Sequence, residues 1–332
     1  MKTLHFVLTE CTFLRYYIPL IEECKKRQIK CVMYEGRSNK YNCPKISANK
    51  QQIEKLKEEF DFESRELESL KSLNGEKIIT VEGCGIDNCY KDNDVYSVTY
   101  MTDFIGSYKN YKNKIKKIFL PSQTFLKLTE ISEDKSAIVG SPKYDFKSTR
   151  EIEREKLGID LSKKIALLVY PRSRDIRNID LSTICKTLNE KGFIVLAKTR
   201  GKDPIREDHK KYFYRSFSDE SWYPHTTMEL IIASDLVVNT GSTTIKECIM
   251  FDTPIINFNI KPFSNLPLHF LENYSFNRVM PKKDFKTSDL IDAIDWIENN
   301  NFKEEFERAR KDHLFQKDIK SSSKIITSIL ES

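Results

Sequence analysis

Short apolar runs recur along the chain at intervals that leave room for one amphipathic segment between them, and this spacing predicts alternating strands and helices. In the first half, Thr3–Leu8, Ile29–Tyr34, Lys77–Val81 and Val95–Met101 read as strands, with helices over Phe13–Lys26 and Ile53–Leu73. Ile118–Pro121 and Ala137–Gly140 complete that sheet before a boundary near Phe146–Arg150. In the second half, Lys164–Tyr170 (KIALLVY), Phe193–Lys198 (FIVLAK) and Leu236–Asn239 are continuous apolar runs. Such runs suit strands buried on both faces of a parallel sheet. A helix over Leu181–Lys191 separates the first two. Met228–Phe258 then reads, with few spare residues, as helix, strand, tight turn, helix and strand. Its second helix buries Ile245, Cys248, Ile249 and Phe251 at a 3.6-residue period. The charge-rich stretch Lys50–Lys71 fits a solvated helix.

Strand and helix in alternation are the signature of parallel α/β architecture. A chain of 332 residues exceeds what one core usually organises. Two α/β domains are therefore expected, residues 1–148 and 149–332, with a crossing of the last helix back to the first domain left open. With 55 Lys and Arg against 49 Asp and Glu, the net charge of +6 is small and spread along the chain. It favours anionic ligands slightly and argues against a nucleic-acid binder, which concentrates its charge. Eight cysteines form no CxxC pair, and five histidines show neither HExxH nor His-x-His spacing. No metal is expected, and free thiols point to a reducing, cytoplasmic setting. No stretch resembles a signal peptide, and no apolar run approaches the ~20 residues of a membrane helix.

The chemistry gathers where strands end. Pro171-Arg172-Ser173-Arg174 follows one strand, Thr199-Arg200-Gly201-Lys202 the next, and Thr240-Gly241-Ser242-Thr243 a third. In an open parallel sheet all strand carboxyl ends face one crevice, so these segments converge on one ligand. Arg172, Arg174, Lys198 and Arg200 supply positive charge. Gly241 allows close backbone approach, and the hydroxyls of Thr240, Ser242, Thr243 and Thr244 together with the N–H groups of the following helix suit a phosphate. Glu247, one turn into that helix, is placed to accept from ribose hydroxyls; the Thr244–Glu247 spacing also fits an ordinary capping box. His225, in the loop before the helix that leads to the strand, is a candidate contact to base or ribose as well as a plausible helix-entry residue.

Val139–Asp145 (VGSPKYD), Leu168–Arg172, Lys198-Thr199-Arg200, Ser234–Leu236, Gly241–Glu247 and Pro254–Ile256, in this order and spacing, resemble the GT-B superfamily. The likeness is to UDP-N-acetylglucosamine 2-epimerases, CDP-glycerol glycerophosphotransferases and capsule glycosyltransferases. It implies two Rossmann-like domains facing each other across a cleft, with a nucleotide-activated substrate held mainly by the second. It covers Ile138–Pro262 well and the preceding residues only in strand order.

That resemblance frames the expected function: transfer of a sugar from a nucleotide-diphosphate donor to a sugar or polyol acceptor, inverting and without metal or cofactor. Asp103 is the preferred general base, with Glu82 and then Glu10 in reserve, because each follows a strand end of the first domain. By strand order Asp103 stands where glycerophosphotransferases carry a His-Gly pair; a helix cap is its purely local alternative. An isomerase of the 2-epimerase type, a glycerophosphotransferase, and a nucleotide binder without chemistry stay open. Pro171–Arg174 stands where the epimerases place a His-Arg pair. Residues 107–120 carry five lysines and no acid, which suits either a membrane-surface contact or the solvated face of a packed helix. A homodimer is compatible with this reading. His5 reads as packed inside its strand, and His209 and His313 as solvated.

Overall fold

A computed structural model describes the chain except residues 1, 37–49, 90–91, 100–112, 130, 174, 200–203, 219–225, 243, 260–273, 282–283 and 315–319. The chain divides into two compact units, Met1–Phe146 with Lys311–Ser332, and Lys147–Arg310.

The first unit is built on a seven-stranded sheet in the order β3-β2-β1-β4-β5-β6-β7. Its strands are β1 (Thr3–Leu8), β2 (Lys30–Glu35), β3 (Glu63–Glu66), β4 (Lys77–Val81), β5 (Asp94–Val98), β6 (Lys117–Leu120) and β7 (Ser136–Ile138). All six neighbouring pairs are parallel. Helices α1 (Leu14–Lys26), α2 (Lys50–Phe60) and α3 (Gln123–Thr129) connect them. Order runs outward from β1 on one side and from β4 on the other, so the strand order reverses between these two.

The second unit has six strands in the order β10-β9-β8-β11-β12-β13. They are β8 (Lys164–Val169), β9 (Phe193–Lys198), β10 (Arg215–Phe217), β11 (Leu236–Asn239), β12 (Ile255–Asn259) and β13 (Asn277–Pro281), again all parallel. Its helices are α4 (Arg150–Leu157), α5 (Leu181–Glu190), α6 (Glu207–Lys210), α7 (Thr226–Ala233), α8 (Ile245–Met250) and α9 (Thr287–Asn299). Here the order reverses between β8 and β11, the arrangement of a dinucleotide-binding sheet. α10 (Lys303–His313) contains the division between the units, and α11 (Ser321–Glu331) belongs to the first.

The motif Gly140–Asp145 has a structural task in the first unit. Both Asp145 carboxylate oxygens accept backbone N–H groups at the start of α11, from Ser321 (2.9 Å) and Ser322 (2.7 Å). The cap satisfies two of the orphan donors of that helix from a residue far away in sequence. At its other flank α11 is tied to α1 by Arg27, which donates to the hydroxyls of Thr327 and Ser323 at 2.8 Å each.

One expected element is corrected. The helix read over Ile53–Leu73 ends at Phe60; Asp61 turns left-handed (φ +54°), and Glu63–Glu66 pairs with β2 as an edge strand, followed by a 3₁₀ turn over Leu67–Ser72. Its sequence ESRE lacks apolar alternation because it lies at the sheet edge. There Glu63 forms ion pairs with Lys30 (2.8 Å) and Arg65 (2.6 Å), which hold its carboxyl down at about 2.

Candidate nucleotide site

In the second unit the loops after β8 and β11 meet where the strand order reverses. The Thr240 hydroxyl donates to the Val169 carbonyl at 2.5 Å, which ties the carboxyl ends of β11 and β8 together. That hydroxyl serves the frame of the crevice and is not directed at a ligand. Gly241 follows with φ +82°, a left-handed turn that a side chain would strain. Asn239, at the last position of β11, accepts the Ser242 N–H (3.1 Å) through its side-chain oxygen and donates to Asn257 of β12 (2.8 Å), its partner in register. Ser242 and Thr244 share a hydroxyl hydrogen bond of 2.8 Å. Two hydroxyls and two amides are thereby locked around one turn at the carboxyl edge.

The capping-box alternative for Thr244–Glu247 is not what forms. Thr244 makes no side-chain cap and instead pairs with Ser242, while Glu247 is buried within α8. Arg172, half-buried, opens the loop after β8, where its carbonyl accepts from Asp175 (2.8 Å) and Ile176 (3.0 Å) and so closes the turn. Lys198 at the end of β9 is buried, and its ammonium donates to the Thr199 carbonyl.

Two residues beside this crevice escaped sequence reading. The buried Tyr170, next after β8, hydrogen-bonds through its hydroxyl to His209 Nδ1 at 2.8 Å and accepts the Arg206 N–H at 3.3 Å. Burial raises the Tyr170 phenol, and burial lowers the His209 imidazole against the opposing pull of Asp208. His209 is thus a partner of the strand end and not the solvated residue its charged sequence surroundings suggest. His313 is likewise buried, and His5 is packed as expected, between Tyr34 (3.2 Å) and Glu76 (3.4 Å).

In the first unit Glu82 and Glu10 follow β4 and β1, the two strands between which its order reverses. Glu82 is buried and left-handed (φ +55°), and Gly83 after it is also left-handed (φ +69°), its N–H donating to the Ser97 hydroxyl at 3.1 Å. A non-glycine residue held in that region stores backbone strain of about 1–3 kcal/mol, which folds tend to keep at functional positions. Glu10 instead accepts from Thr12 (3.1 Å) and closes a local turn.

No protein-family model matches the chain, and no curated sequence matches it. Solved structures do. A UDP-GlcNAc 2-epimerase from Neisseria meningitidis bound to UDP-GlcNAc superposes with a TM-score of 0.69 at 12% identity, over 100% of both chains. The spinosyn rhamnosyltransferase SpnG complexed with thymidine diphosphate gives 0.58 at 10% identity, over 100% of both. The wall teichoic acid polymerase TagF gives 0.62 at 13% identity, over 99% of this chain and 89% of that one. The fold is of the GT-B type.

Within this GT-B fold, Arg172, Lys198, Thr240, Gly241, Ser242 and Thr244 belong to the second unit and lie at or just beyond the carboxyl ends of its strands, with Glu247 inside the helix that follows β11. Asp103, Arg174, Arg200, His225, Thr243 and residues 107–112 of the 107–120 stretch lie outside the described residues. Among the described residues no group of three or more His, Cys, Asp or Glu side chains is placed to hold a metal ion, and no helix is long and apolar enough to cross a membrane.

Proposed function

We propose that the chain is a glycosyltransferase that binds a nucleotide-diphosphate sugar at the carboxyl edge of its second unit and transfers the sugar, with inversion, to a hydroxyl acceptor. The observation that carries this reading is the crevice between β8 and β11, where the Thr240–Val169 bond joins a cationic loop to a turn rich in hydroxyl and amide groups. Parallel sheets bind nucleotides at such reversals. Arg172 and the paired hydroxyls of Ser242 and Thr244 stand on turns closed by hydrogen bonds, which suits them to the charge that develops on the departing diphosphate. Displacement also needs a base for the acceptor hydroxyl. Asp103 and Glu82 are the two candidates, and the buried, left-handed backbone of Glu82 at the end of β4 supports its candidacy.

The test is consumption of UDP-, TDP- and CDP-activated sugars with and without hydroxyl acceptors, in the presence of a chelator. Release of free nucleotide diphosphate is expected only when an acceptor is present, and Asp103→Asn or Glu82→Gln should reduce turnover while leaving donor affinity nearly intact, since a base acts in the transition state. Acceptor-independent interconversion of UDP-GlcNAc and its 2-epimer, seen by proton NMR, would replace the transferase reading with that of an isomerase.

A further inference from the structure

The end of β8 ties three loops of the second unit together. The Val169 carbonyl accepts the hydroxyl of Thr240, from the loop after β11, at 2.5 Å. Tyr170, next in the chain, donates its N–H to the Lys198 carbonyl at the end of β9 (2.9 Å) and so carries the β8–β9 ladder one residue past the strand. Its phenol then reaches the chain that leads from β9 to β10. There the hydroxyl shares a 2.8 Å hydrogen bond with His209 Nδ1 and accepts the Arg206 N–H at 3.3 Å. Two residues beyond Tyr170, the Arg172 carbonyl closes its turn by accepting from Asp175 and Ile176.

Packing alone does not ask for a tyrosine at this position. The residue is 3% exposed, and its ring meets those of His209 (6.0 Å) and Phe213 (6.2 Å, edge-on), contacts that phenylalanine would make as well. Burying a hydroxyl costs free energy unless partners replace water. Both printed partners of this hydroxyl lie on the chain between β9 and β10. What the hydroxyl adds is therefore a brace between that chain and the start of the Arg172 turn.

Position matters more to a guanidinium than to an apolar contact. It pairs with phosphate oxygens through a planar fork, and a small displacement spoils that geometry. We infer that Tyr170 is a positioning residue for the diphosphate, its phenol holding the turn that begins at Pro171 so that Arg172 meets the phosphate oxygens. The inference rests on the nucleotide-binding part of the proposed function, and it gives Tyr170 no contact with the ligand: the residue acts through Arg172. A nucleoside offers Arg172 no charge and is indifferent to the brace.

The test takes whichever of UDP, TDP, CDP and GDP the full chain binds most tightly and compares it with its own nucleoside, by calorimetry and NMR titration. Tyr170→Phe keeps the ring, and His209→Leu keeps Tyr170 but removes its partner. Each is expected to bind the diphosphate about tenfold more weakly, the scale of one hydrogen bond, and the nucleoside within about twofold of the parent. His209→Asn, whose amide oxygen stands where Nδ1 does, should restore diphosphate affinity to within about threefold. The core variant Ile184→Val in α5 lowers the melting temperature away from the brace and should leave the ratio of the two affinities unchanged. Unchanged diphosphate affinity in Tyr170→Phe, equal weakening of diphosphate and nucleoside, or a loss in His209→Asn as large as in His209→Leu overturns the inference and leaves the nucleotide reading standing. A parent that binds none of the four diphosphates overturns both.

Discussion

At Tyr170, one hydroxyl joins two neighbours: it accepts the Arg206 N–H and shares a hydrogen bond with His209 Nδ1. Burial pushes the His209 pKa below its ordinary value, helped by Arg206 and Lys211 and opposed by Asp208; in the first unit, burial lowers His5 against Glu76. Both imidazoles are lower in the folded chain than the unfolded value of about 6.5. The unfolded chain therefore binds more protons in that window. Their contribution to stability is present above about pH 6.5 and is lost as the pH falls toward the folded values. Scanning calorimetry should show a lower melting temperature at about pH 5.5 than at about pH 7.5. His209→Gln should shrink that difference and leave the share due to His5. A difference of the same size in the variant would mean that His209 does not titrate on unfolding. None of this was legible in the sequence, because Tyr170 and His209 are 39 positions apart and the flanking charges of His209 read as a solvated face.

For the elements, α8 gives the sharpest test. It is six residues long, so its stability comes from burial and not from length, and every one of its residues is buried. Glu247 makes no capping box with Thr244, and Glu247→Gln, nearly the same in shape, is expected to leave the melting temperature within about 1 °C. If the carboxylate receives ribose hydroxyls, nucleotide affinity should fall by about 1–3 kcal/mol, the scale of a charged hydrogen bond. A lower melting temperature with unchanged affinity would assign Glu247 to the fold instead. Central strands such as β8, β9 and β11 were legible because burial on both faces writes an uninterrupted apolar run. The edge strands β3, β10 and β13 read ESRE, RSF and NRVMP. With one side open to water they carry no such run, and the sequence around Glu63 mimics a charged helix. The turn Thr240–Thr244 was legible as a polar turn, but the division of labour within it was not. Thr240 frames, Ser242 and Thr244 pair with each other, and the bond from Thr240 to Val169 spans 71 positions.

On the scale of the whole chain, the two-sheet architecture follows from strand–helix alternation, whereas the return of the last helix to the first unit depends on contacts that local pattern cannot show. Asp145 caps α11 across 176 and 177 positions, and Arg27 grips it across nearly 300. α11 buries Ile325, Ile326 and Ile329 completely, and α1 is its main helical neighbour. Burying three isoleucines contributes about 5–9 kcal/mol at roughly 1.5–3 kcal/mol each. That is comparable with the whole stability of an ordinary domain, about 5–15 kcal/mol. Deleting residues 320–332 should therefore unfold the first unit, since it also removes the two backbone donors that Asp145 caps. The second unit, Lys147–Arg310, has its own sheet and core and contains every described residue of the nucleotide site. In the truncated chain, hydrogen exchange should become fast across β1, β4 and α1 while β8, β9 and β11 stay protected. Nucleotide diphosphate at 100 times its Kd should still stabilise the remaining unit by about 2.7 kcal/mol. Loss of protection in both sheets together, or loss of nucleotide binding with the deletion, would show that the second unit does not stand alone and that its site depends on the first.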